Sequence, residues 1–81
     1  MNNKLYFLVR PFKSGWSTSP FMTADQMKNA VIDGNPEFRM HYMYELAVES
    51  LTTGEFLTLY KRWANETLEY AWEIYEGVRV G

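Results

Sequence analysis

The sequence predicts an α+β domain with three helices and a minimal two-stranded sheet formed by the N- and C-terminal segments. Three observations carry this reading. The run Leu5-Tyr6-Phe7-Leu8-Val9 is apolar and rich in strand-forming side chains. Two capping signatures, Thr23 with Gln26 and Thr52 with Glu55, each precede apolar residues spaced by three and four. A short strand-like tail, Val78-Arg79-Val80, follows Gly77. The 81 residues hold one domain and one core, 1–81.

The first element is a strand over residues 4–10, ended by Pro11. Neither of its faces is polar before Arg10, so both are expected to be covered. Residues 11–22 carry two prolines, a glycine and several hydroxyl side chains, the composition of a loop. Within it Lys13-Ser14-Gly15 reads as a turn. Its lack of a GxxxxGK[ST] frame argues against a nucleotide loop. Thr23 then caps a helix that Gly34 ends, on the expectation that glycine takes a left-handed turn there. Asn35-Pro36-Glu37 starts a second helix, with Asn35 as N-cap and Pro36 preset for the first helical position. Met40, Met43, Tyr44, Ala47, Val48 and Leu51 continue it as a helical stripe.

Residues 51–55 fit either the start of a third helix or a hairpin turn, and periodicity favours the helix. Phe56, Leu59, Tyr60, Trp63, Ala64, Thr67, Tyr70, Ala71 and Ile74 recur at three and four, so this helix is expected to run to Gly77. Trp63 sits near the centre of its apolar arc and is a predicted core residue. The tail at 78–80 is expected to pair with residues 4–10, because a lone strand must satisfy its backbone somewhere.

Composition narrows function more than it names it. With no cysteine there is no disulfide, no thiolate metal site and no cysteine nucleophile. His41, the single histidine, shares a helical face with Glu45 and Glu49, but nothing in the sequence encloses them. The expectation is a surface row of charges and no metal or other cofactor. No nucleophile-elbow motif is present, and the chain reads as non-enzymatic. No run approaches the roughly 18 apolar residues of a membrane span. No secretion signal is evident, so a cytoplasmic location is expected.

Charge is unevenly placed. Residues 1–40 carry five cations against three acids, +2, and residues 41–81 carry three against seven, −4. The second half is thus ill-suited to grip nucleic acid directly.

Two groups stand out as candidate binding residues. On a continuous third helix Glu66, Glu69, Glu73 and Glu76 fall within an arc of about 80°. Like charges at those spacings oppose helix formation by about 0.2–0.5 kcal/mol per pair, a conflict that can mark function. The bland alternative is a solvated face. The second group is the aromatic set Phe12, Trp16 and Phe21 in the 11–22 loop, which forms either an interface or a lid over a small core. The resulting expectation is a small acidic inhibitor or adaptor that occupies a basic, nucleic-acid-binding surface of a larger protein. By size and charge alone it is analogous to compact acidic viral proteins that disable host or defence enzymes. The alternatives are a homo-oligomer that recruits a second copy through the edge of Leu5–Val9, and a small-ligand binder using the aromatic loop.

Overall fold

A computed structural model describes residues 4–78. The chain is α+β, as the sequence predicts, but its sheet has three strands, not two. The elements run β1 (Lys4–Phe12), β2 (Gly15–Thr18), α1 (Ala24–Gly34), α2 (Pro36–Tyr42), a 3₁₀ turn (Val48–Ser50), α3 (Thr53–Thr67) and β3 (Glu73–Val78). The strand order is β2-β1-β3, antiparallel throughout.

The expected loop after Pro11 contains the missed strand. Lys13-Ser14 make the turn between Phe12 and its partner Gly15, whose φ of +129° suits glycine. Pro11 does not end β1, and the register explains why. The N–H groups of Tyr6 and Leu8 are bonded on the β2 side, to Met22 O and Ser19 Oγ at 2.8 Å. Strand backbone groups point alternately to either side, so odd-numbered residues of β1 turn toward β3. β3 begins only opposite Val9. The missing N–H of Pro11 therefore falls where no ladder bond is due.

β1 is the central strand, so its backbone is paired on both sides. This removes the expected recruitment of a second copy through the edge of Leu5–Val9. The terminal pairing itself is present, since β1 pairs with the C-terminal strand from Lys4↔Val78 to Val9↔Glu73. That strand starts at Glu73, five residues earlier than expected, while Arg79 and Val80 lie outside the described residues.

Both capping boxes form as read. Thr23 accepts from the Gln26 N–H and Thr52 from the Glu55 N–H, with each N3 side chain bonded back to the cap. The Glu55 carboxylate is held below its usual range by the hydroxyl and backbone bonds from Thr52. The stretch at 51–55 thus opens a helix and not a hairpin.

Two helices are shorter than their periodicity suggests. α2 stops at Tyr42, where the Glu45 and Leu46 N–H groups both fold back to the Tyr42 carbonyl. Phe38 is its sole fully buried side chain, and Met40, Met43 and Tyr44 are exposed. Breaking the helix lets Val48 turn into the core, where it is completely buried. The His41, Glu45, Glu49 row therefore never forms, and Glu49 instead pairs with Arg39 at 3.5 Å. α3 ends at Thr67, with Leu68 already extended. Its final residues, Asn65, Glu66 and Thr67, include two weak helix formers.

One layer of helices covers one face of the sheet. Tyr6 and Leu8 point into that layer and join Met27, Val31, Phe38, Phe56, Tyr60 and Trp63 in the buried cluster. Trp63 is 3% exposed, in agreement with its predicted core place. Phe38 is the hub, with ring centroids 5.3–5.5 Å from Phe56, Tyr60 and Trp63. Asn35, buried between α1 and α2, is at the expected cap position but makes no side-chain cap bond. Its amide donates to the Val31 carbonyl and its oxygen accepts from the Tyr60 hydroxyl. The Tyr60 oxygen in turn accepts the Trp72 N–H, tying α3 to the segment that enters β3.

Candidate functional site

Strand alternation sends Leu5, Phe7 and Val9 to the sheet face opposite the helices. None of the three belongs to the buried cluster. The molecule is only 17 Å through its thinnest axis, the depth of one sheet and one helix layer, so among the described residues no further element covers this face. The expectation that both faces of β1 are covered holds only on the helical side.

An aromatic cluster stands on the open face beside Leu5 and Val9. Phe7 is stacked on Tyr75, its cross-strand partner, at 5.2 Å, and meets the edge of Phe21 at 5.4 Å. The Phe21 ring lies over Gly77, where a Cβ would stand 3.4 Å from its nearest carbon. Phe21 remains 62% exposed and Tyr75 46%. Contiguous apolar exposure of this kind is what distinguishes an interaction surface from scattered surface hydrophobics.

An open cleft of about 510 Å³ adjoins this face, between α3 and the segment leading into β3. Its rim carries Trp16, Tyr70 and Tyr75, with Glu69 and Glu73 beside them. Trp16 meets Tyr70 edge-on at 6.5 Å and is 51% exposed. The Tyr75 hydroxyl donates to Glu73 Oε1, which holds the tyrosine proton and raises its pKa above the ordinary range. Lys61 also lines the cleft, so two carboxylates against one ammonium leave the lining at −1. Phe12, Lys13 and Trp16 border a second, shallower depression that shares Glu69 and Tyr70.

The candidate residues read from the sequence are thus regrouped. The four glutamates do not form a helical stripe, because α3 ends before three of them. Glu66 is on α3 near Arg62, at 3.9 Å. Glu69 is in the following turn, and Glu73 and Glu76 are on β3. Three residues apart on a strand, Glu73 and Glu76 project to opposite faces. Glu76 pairs across the sheet with Lys4, at 3.7 Å. Only Glu69 and Glu73 meet the aromatics, at the cleft with Trp16.

The aromatic loop is not a lid over the core, since Phe12, Trp16 and Phe21 are all exposed. Nor do the three stand together. Phe21 belongs to the open sheet face, Trp16 to the cleft, and Phe12 packs under the Arg10 guanidinium at 5.7 Å. Arg10 lies equally far from the Trp72 ring, and its Nε is buried without a hydrogen bond, so ring faces meet its charge. Sequence reasoning missed Phe7, Tyr70 and Tyr75 as surface residues. Reading Tyr70 to Tyr75 as helix hid the two tyrosines, although the aromatic and branched density of that stretch favours a strand, and the expectation of a covered β1 hid Phe7.

Among the described residues no three His, Asp or Glu side chains converge as a metal site, and no helix is long and apolar enough to cross a membrane. No protein-family model, curated protein or solved structure matches the chain.

Proposed function

We propose that the chain is a non-enzymatic protein-binding module whose contact surface is the open face of its sheet and the adjoining cleft. The observation that carries this is the Phe7, Phe21, Tyr75 cluster on a sheet face no helix covers. Aromatic rings supply large contact area at low conformational cost, and they dominate binding energy at interfaces. Glu69 and Glu73 flank the patch on one side. They favour a partner whose apolar surface is bordered by cations, and they set the orientation of docking more than its strength. The idea of an acidic inhibitor or adaptor thus keeps its charge complementarity, with two glutamates at an aromatic cleft in place of four along a helix.

The test is Phe21→Asp. The side chain is largely exposed, so the variant should melt within a few degrees of the parent, while a desolvated carboxylate at the patch should abolish capture of the natural partner from extracts of the source cell. Thr58→Asp, on exposed α3 surface, should leave capture intact. A folded Phe21→Asp protein that retains the partner would refute the assignment.

A further inference from the structure

We infer that the outer edge of β3 accepts an extended, Lys- or Arg-bearing segment of another protein as an added strand. This rests on the reading of the chain as a binding protein, though not on the sheet face being the contact. The alternation that frees Pro11 fixes the polarity of β3. Odd residues of β1 face β3, so Tyr75 and Glu73, opposite Phe7 and Val9, turn their backbone groups inward. Ile74 and Glu76 then turn their N–H and C=O outward. Among the described residues β3 has only β1 as a neighbour, and no backbone partner meets Ile74 or Glu76 on the outer side. An unpaired edge of this kind is a template for another strand.

The space beside the edge suits that occupant. The cleft follows Trp72, Glu73, Ile74 and Tyr75 along the strand, and α3 stands back as its far wall. Its aromatic rim, Trp16 and Tyr70, offers ring faces to the stem and charge of a long cationic side chain. Charge selects among occupants. Glu73 and Glu76 are two of the six residues of β3, and Glu69 lies just before it. Antiparallel pairing of two copies through this edge would set four glutamates on adjacent short strands, which is unfavourable. A phosphate backbone would meet the same repulsion. A strand bearing Lys or Arg gains where those two lose.

The experiment follows amide exchange and resonance positions of Ile74 and Glu76 in the full chain while a blocked peptide of alternating Lys and Val is added. The expected result is that exchange at both amides slows about tenfold or more, as for hydrogen bonds formed on binding. The effect should weaken at high salt. The same peptide with Glu for Lys should not bind. The Lys peptide N-methylated at alternate residues, which keeps the charge but removes ladder donors, should not protect the two amides. Glu76→Pro, which leaves Ile74 as the amide to follow, should lose protection there while Phe7 and Val9 stay bonded to β3, and Glu76→Gln should retain most of it. If Glu76→Pro does not fold, the N-methylated peptide on the parent chain decides the matter. The proposal is overturned by unchanged Ile74 and Glu76 amides, by equal binding of the N-methylated peptide, or by protection that grows with protein concentration without peptide, which would make a second copy the occupant. Phe21 lies off this edge, so failure of the Phe21→Asp test leaves the peptide result standing, and failure here leaves the sheet-face reading standing.

Discussion

Replacing Gly34 by alanine separates what the sequence suggests from what the packing requires. Gly34 is the last residue of α1, and in a helix alanine is ordinarily favoured over glycine by about 0.5–1 kcal/mol. Its φ is not in the left-handed region, so backbone conformation raises no objection. The objection is steric. A Cβ at residue 34 would stand 2.1 Å from Trp72 Cη2 and 2.3 Å from Cζ2. The indole cannot simply swing away. The main-chain N–H of Trp72 donates to the Tyr60 hydroxyl at 3.3 Å and anchors the backbone beneath the ring, and the Arg10 guanidinium lies against the ring itself at 5.7 Å. Overpacking of this kind costs about 1–3 kcal/mol, and more if the ring is expelled. An approach as close as 2.1 Å lies at the upper end of that range. With the helix gain of about 0.5–1 kcal/mol subtracted, the net expectation for Gly34→Ala is destabilisation by about 1–2.5 kcal/mol, or roughly 4–20 °C in melting temperature for a domain of this size. In a Trp72→Ala background the same change should become neutral or mildly stabilising, a coupling that a double-mutant cycle isolates. Urea and thermal melts of the four proteins provide it. Gly34→Ala as stable as the parent, or an equal loss in both backgrounds, would show that the indole does not fill that space.

Two further outcomes follow from the core. Trp63→Ala should cost about 3–5 kcal/mol, most of what a domain this small possesses, measured by chemical denaturation against the parent. Burial pushes the Tyr60 hydroxyl up to about 12, partly opposed by the Trp72 N–H that favours the anion, against an ordinary value of 10.0. The unfolded chain therefore releases this proton first. The contribution to stability is whole below about pH 10 and is lost as pH rises through about 12. In Tyr60→Phe this part of the alkaline loss should disappear, as followed by denaturation at stepped pH, although the links to Asn35 and Trp72 go with it.

Local signals in the sequence proved easier to read than extended ones. Thr23 with Gln26 and Thr52 with Glu55 name their own partners within one turn, and both boxes form. Trp63 was legible because its neighbours at three and four residues lie on a helix that persists on both sides of it. The periodicity of Tyr70, Ala71 and Ile74 misled because aromatic and apolar residues satisfy a helical count and a strand equally well. No glycine or proline marks the break at Leu68. What fixes the break is tertiary, as Trp72 docks on Gly34 and Tyr60, and residues 73–78 gain a ladder with β1. Gly34 ends α1 as the sequence predicts, but for the space it leaves and not for its φ. The site suffered most from the misplaced boundary. A helical stripe of four glutamates became two at the cleft and two elsewhere, while Tyr75 moved to the exposed sheet face.

Site-specific photo-crosslinking tests the central claim most directly. A benzophenone amino acid placed at Phe21, on the open sheet face, is compared with one at Thr58, on exposed α3 surface. Irradiation in source-cell extract should give a single dominant adduct from Phe21, lost when Tyr75→Asp is added, and none from Thr58. Adducts from Thr58 and none from Phe21 would place the contact on the helical layer and contradict the account.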